Sequence, residues 1–195
     1  MASSGRQDGM SLIEVMISLA VFSLASIGIT GMLIDNSRIN KAEQMRAQVQ
    51  ANARNTVSLI AQRIRTAGWD PLELGFQAIV RDDDLTDSEN YVELYSDLDG
   101  DNTLDGVGES VRIRHLAGTV EWRLETGGSF IPLAAGISND ADGDTVVEPM
   151  LVADTADPPK WIRIRVTAES SSADPRTGEV YRYTVETEVA LRGSL

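Results

Sequence analysis

Two kinds of carboxylate stand out in this chain by their spacing. The first is Glu14, the only ionisable side chain between Met10 and Ile34 in an otherwise apolar run. Even lenient insertion scales charge about 2.5–3.5 kcal/mol for such a group at mid-membrane. Glu14 lies near one end, where snorkelling relieves part of that cost, and the remainder calls for a partner. The second kind is a repeated pattern, Asp-x-Asp-Gly-Asp, at Asp97–Asp101 and again at Asp140–Asp144. Carboxylates at alternate positions of a tight loop converge on one hard cation, and calcium accepts six to eight oxygens in loose geometry where magnesium demands an octahedron. The expected cofactor is therefore Ca2+, held by Asp97, Asp99, Asp101 and Asp105, with Glu109 able to swing in. A second candidate set is Asp140, Asp142, Asp144 and Glu148. Both loops depart from the EF-hand pattern, which wants Gly at its sixth place and Glu at its twelfth. Here Asn102 and Thr145 stand at the sixth, Gly108 and Leu151 at the twelfth. The competing reading is a solvated acidic turn. Asp82-Asp83-Asp84 lacks the alternation and reads as solvated loop.

These groups need elements to position them. An apolar helix of about 20 residues crosses a hydrocarbon core of roughly 30 Å, and the run from Met10 to Ile34 is longer than that. Beyond it, Ile39, Ala42, Met45, Val49, Ala53, Val57, Ile60, Ile64 and Ala67 recur at intervals of three or four, which predicts an amphipathic helix. No Pro interrupts Met10–Gly68, so both halves form one helix of about 58 residues, roughly 87 Å. Gly68 supplies the stop, followed by Asp70-Pro71. Gly28 and Gly31 read either as sites of local melting or as close-packing positions.

From about Phe76 the period becomes two. Tyr91–Tyr95, Val111–Arg114, Val120–Leu124, Trp161–Val166 and Val180–Val185 alternate apolar with charged or polar residues, the pattern of half-buried antiparallel strands. Leu116–Thr119 and Thr126–Ser129 are turns, and Ala168–Glu179 is an exposed loop between the last two strands. Trp69, Trp122 and Trp161 read as core or sheet anchors. A sheet with one wet face needs a cover on the other, and the stripe Ile39–Ala67 is the one helix to provide it. The expected class is α+β, a long N-terminal helix on an antiparallel sheet. The expected divisions are a leader (1–9), an apolar helix (10–34), its amphipathic half (35–68) and a β-rich head (69–195).

The stretch Gly9-Met10-Ser11-Leu12-Ile13-Glu14 at the mouth of an apolar run resembles the processing site of type IV prepilins and type II secretion pseudopilins. The resemblance implies cleavage after Gly9 by the prepilin peptidase, an integral membrane enzyme, and methylation of the new N-terminus, Met10. It implies that Glu14 pairs with the N-terminal amine of a neighbouring subunit during assembly. Met10 stands where the family more often has Phe. The plan of the chain, with Arg63–Pro71 at the helix end and Tyr183–Val185 with Val189–Arg192 near the close, is similar to PilW-type minor pilins. The J-type pseudopilins share it. The implied partners are other pilin or pseudopilin subunits, the prepilin peptidase and the inner membrane. The implied location is single-pass, with a periplasmic head, before incorporation into a pilus or pseudopilus. Arg6 precedes the run while Arg38, Lys41 and Arg46 follow it, so the charge rule alone favours the opposite orientation; the motif is given precedence.

Composition narrows the function. The 195 residues leave room for one head domain, with no cysteine for disulfides or thiolate sites. A net charge of −13 argues against a nucleic-acid partner, and a single histidine, His115, leaves little for imidazole chemistry. The expected function is a non-catalytic filament subunit; a tip adhesin and a carboxylate-pair hydrolase are the rival classes. Mass spectrometry of the mature protein is expected to show a chain starting at methylated Met10. Recovery of an intact Met1, or a cut beyond residue 25, would overturn the processing.

Overall fold

The computed structural model describes residues 11–68, 79–81, 90–101, 103–104, 106–154 and 160–191. The helix α1 spans Leu12–Thr66, 55 residues, or about 82 Å. Up to Lys41 it contributes no buried residue. From there Ala42, Val49, Ala53, Thr56, Val57, Ile60, Ala61 and Ile64 form a buried face, at helical spacing. The covered stripe thus begins later than the sequence suggests: Ile39 is 40% exposed and Met45 is half-buried. Thr56 enters that face because its hydroxyl donates to the Asn52 carbonyl (2.8 Å), which leaves no polar group unpaired.

The helix stops as expected at Gly68, with one extended residue between. Ala67 is the cap (φ −61, ψ 141), and its N–H donates to the Arg63 and Ile64 carbonyls. Gly68 takes φ +77, a conformation that costs glycine little. Its N–H donates to the Tyr95 carbonyl (2.9 Å), tying the helix end to the sheet. Trp69 and Asp70-Pro71 lie outside the described residues.

The head holds two antiparallel sheets, where the sequence reading anticipates one. Strands β1 (Ile79–Arg81), β2 (Asn90–Tyr95), β3 (Ser110–Leu116), β4 (Thr119–Arg123) and β5 (Ile131–Ala135) form a five-stranded meander in chain order. Strands β6 (Leu151–Ala153), β7 (Trp161–Ala173) and β8 (Val180–Ala190) form the second sheet. The chain crosses between them after Gly136: the Ile137 N–H donates to Gly118 in one sheet (3.0 Å), and the Glu169 N–H in the other donates to Gly136 (2.9 Å). The helix packs chiefly on β7 and β8 and touches the larger sheet through β5. All three layers share one core, in which Ile60, Ile64, Ile113, Ile162 and Ile164 are almost fully buried. Fully burying a side chain of this size contributes about 1.5–3 kcal/mol.

Two local departures have clear causes. The first half of the segment Ala168–Glu179 is strand, because β7 continues to Ala173 across a register shift after Glu169. Ser170, 5% exposed, serves the shift: its hydroxyl donates to the Ser172 carbonyl (2.7 Å) and accepts the Tyr181 N–H (3.0 Å). Pro132 masks β5 in the sequence, yet β5 is an edge strand, where proline is tolerated.

Only the turn 174–179 remains as loop, and it is anchored to the helix. Asp174, 2% exposed, accepts the Arg176 N–H on Oδ1 (2.8 Å) and the Arg46 guanidinium on Oδ2 (2.9 Å). The Arg176 N–H and the Arg46 side chain hold this carboxyl below the usual carboxylate range against the opposing effect of burial. The folded pKa lies below the unfolded one, so the stabilisation is fully present above about 3.9 and is lost as pH falls through the folded value. Asp174→Asn is therefore expected to lower Tm at neutral pH, with the gap to wild type closing below about pH 3.9. A gap independent of pH would remove the ionic role.

Candidate functional site

The N-terminal half of α1 is the first candidate surface. Gly9 and Met10 lie outside the described residues. Glu14 sits in the first helical turn, where the helix dipole favours a negative charge. The backbone of Ser11 caps that turn: its carbonyl accepts the Glu14 (3.0 Å) and Val15 (3.2 Å) N–H groups, while the Ser11 hydroxyl makes no capping bond. Glu14 is exposed. Around it the apolar side chains have no protein cover, Leu12 being 80% and Phe22 71% exposed. This helix is long and apolar enough to cross a membrane, and none of its most apolar window is buried.

The polar residues of this half do not oppose an apolar environment. The hydroxyls of Ser18, Ser23, Ser26 and Thr30 each donate to the carbonyl four residues back, at 2.7–2.8 Å. The helix runs unbroken through Gly28 and Gly31, and a Cβ at either would meet nothing. Nothing among the described residues requires those glycines.

The second candidate is the loop between β2 and β3. It gathers Asp97, Asp99 and Glu109, whose carboxylate oxygens lie within 4.8 Å of one another. Glu109, the residue one place past the EF-hand position, is at the centre. It is 1% exposed and accepts three backbone N–H groups: Leu98 (2.8 Å) and Asp99 (3.3 Å) on Oε1, Gly106 (2.7 Å) on Oε2. A Cβ on Gly106 would sit 2.6 Å from Glu109 Oε2, so glycine is required for this approach. Asp97 is fully buried; its Oδ1 accepts the Gly100 N–H (2.7 Å), and its Oδ2 is buried without a hydrogen-bond partner. For Asp99, the Asp101 N–H favours the charged form, but desolvation and the like charges of Asp101, Glu109 and Asp97 outweigh it and raise the pKa. Asp101 is not part of the cluster: its Oδ1 accepts the Thr103 N–H and hydroxyl (2.8 and 2.7 Å). Those two bonds hold its pKa down. Asp105 lies outside the described residues.

The second acidic loop repeats the same turns. Asp140, Asp142 and Asp144 come within the same 4.8 Å, and each carboxylate closes a turn as Asp97, Asp99 and Asp101 do in the first loop. Asp140 accepts the Gly143 (2.6 Å) and Thr145 (3.2 Å) N–H groups; Asp142 accepts Asp144 N–H and Asp144 accepts Val146 N–H. Thr145 takes φ +71, an uncommon conformation for a β-branched residue. Protein cations stand beside this loop. Arg182 is 4.0 Å from Asp140, and its Nη1 would be 2.9 Å from a Cβ on Gly143. Glu148 turns to Arg165 (3.4 Å) instead of joining the three aspartates.

Asn139, invisible as a site in the sequence, holds this loop on β7. It is fully buried at φ +50. Its side chain accepts the Thr167 N–H (3.0 Å) and donates to the Glu148 carbonyl (2.8 Å). The same position links both segments through its backbone as well.

Residues 4–30 match the family model of the prokaryotic N-terminal methylation motif. The match takes in Gly9, Met10, Glu14 and the first turns of α1 and supports a type IV pilin-like subunit. Such a motif implies association with other pilin subunits and processing by prepilin peptidase. Comparison with curated proteins and with solved structures finds no match.

Asn139→Ala leaves a buried N–H and a part-buried carbonyl without their side-chain partner and puts alanine at positive φ. The expected loss of stability in urea unfolding is about 2–4 kcal/mol, with Asn139→Gly less severe because it relieves the backbone part. A loss below about 1 kcal/mol would mean that the aspartate turns hold the loop unaided.

Proposed function

We propose that this chain is a minor pilin, a non-catalytic subunit that enters a type IV pilus and aids its assembly after cleavage behind Gly9. The observation that carries this reading is the methylation motif at residues 4–30 running into a single helix with two surfaces. Its first half is apolar and uncovered, and its second half is the spine of the head. In the membrane the first half is covered by lipid, with the head on the periplasmic side. In a filament it is covered by like helices, and because both environments are apolar, little hydrophobic energy separates them. Glu14 then supplies the directional term, pairing with the N-terminal amine of a neighbouring subunit.

The head carries a groove of about 590 Å³ between α1, β5 and β7, and its one ionisable lining residue among those described, Glu169, faces Arg182 (3.5 Å).

The test is Glu14→Ala in the full chain. Export and head folding are expected to be unchanged, while recovery in sheared pilus filaments falls by about tenfold, equivalent to roughly 1.4 kcal/mol. Undiminished recovery would remove the assembly role of Glu14. Recovery with a secretion pseudopilus in place of pili would assign the chain to that machine.

A further inference from the structure

We propose that Asp97, Asp99 and Glu109 form a divalent-cation site at the β2–β3 loop, and that calcium is the ion it takes. The three carboxylates bring their oxygens within 4.8 Å of one another. Asp97 and Glu109 do so from full burial, at 0% and 1% exposure. Among the described residues no Lys or Arg pairs with any of the three, so three formal negative charges meet without a protein cation. A buried carboxylate is costly unless it is paired and hydrogen-bonded, and Asp97 Oδ2 has no hydrogen-bond partner. A metal ion supplies the missing partner.

The remaining geometry suits an ion. The N–H groups of Leu98, Asp99 and Gly106 fix the Glu109 carboxylate; Oε1 accepts two of them, and Oε2, which accepts one, keeps a lone pair for coordination. Asp99 is exposed, which leaves an open side for entry and for bound water. Calcium accepts six to eight oxygens in flexible geometry, whereas magnesium demands a near-ideal octahedron. The contrast with the other acidic loop is independent support. That loop repeats Asp-x-Asp-Gly-Asp, but Arg182 stands beside it and Arg165 takes its Glu148. Arginine stands beside one loop; among the described residues the other has no such neighbour.

The site lies where the head is joined. Ser96 N–H donates to the Glu109 carbonyl (2.9 Å), and Gly108 N–H donates to Leu124 after β4 (2.8 Å). Two residues before Asp97, the Tyr95 carbonyl receives the helix end at Gly68. An ion here locks the β2–β3 loop against the point where α1 meets the sheet. This holds whether or not the chain enters a pilus.

The experiment uses the full chain in detergent micelles, with calcium chloride alone as the probe. Titration calorimetry is expected to give one ion per chain, with a dissociation constant on the order of 10⁻⁵ to 10⁻³ M. Tm is expected to rise by several degrees in millimolar calcium over chelator, without an equal rise in magnesium. Asp97→Asn separates coordination from folding, because it keeps the shape and removes the charge. In chelator it should melt no lower than wild type, and in calcium it should show no rise. Asp142→Asn should keep the full rise, which places the ion in the first loop. Identical melts in calcium and chelator would overturn the proposal. So would an equal rise in magnesium, or an undiminished calcium response in Asp97→Asn.

Discussion

A single helix has to satisfy two surroundings without a break, and the rest of the molecule follows from that constraint. Over the first half of α1 the backbone bonds internally, the hydroxyls of Ser18, Ser23, Ser26 and Thr30 bond back to the preceding turn, and the side chains face outward. Such a segment is complete in polar terms and incomplete in apolar ones. Over the second half only one face is apolar, and the smaller sheet covers most of it while the larger sheet reaches it at β5. The change of surroundings is made by composition alone, since no proline, glycine pair or kink marks the passage from Ile34 to Ala42.

Charge is partitioned as sharply as hydrophobicity. On the outer face of the larger sheet, Arg112 and Arg123 share Glu93 (3.0 and 3.1 Å), and Arg114 pairs with Glu121 (2.9 Å). Aromatic rings shelter the same cations: Arg112 lies 4.4 Å from the ring centre of Tyr91, and Arg114 3.6 Å from that of Phe130. On the smaller sheet Arg163 and Arg165 meet Glu186 and Glu188 across the strands. The exposed pairs of the smaller sheet contribute little individually, whereas Glu93 is buried between its two arginines. Their consequence is that many of the chain's arginines are engaged on strands, while the net charge of −13 is left to loops such as 97–109.

Much of this was legible in the sequence, for reasons that are themselves physical. The helix, its stop at Gly68 and the five alternating strands depend on local periodicity and backbone preference, which a linear pattern records. The division into two sheets was not legible, because Ile137 joins them through partners far along the chain, Gly118 and Ala168. The same applies to Arg46 and Asp174, an ion pair spanning 128 positions. Within the acidic loops the residue types were visible but their inequality was not. Glu109 moved to the centre and Asp101 turned away because of backbone N–H groups that only the folded loop presents. Asn139 gave no signal beyond its type, since its role depends on burial and on Thr167.

Strand β8 carries a hazard that its composition restrains. It is an 11-residue strand at the margin of its sheet, with one row of backbone groups free of any described neighbour strand. Many copies held at high local density, as on a crowded surface, would tend to zip together along such a margin. Arg182, Glu186 and Glu188 stand on this strand. Charged side chains on a sheet margin discourage a second copy from pairing there. The alternation that places the apolar side of β8 toward the helix therefore also keeps neighbouring heads from fusing into a continuous sheet.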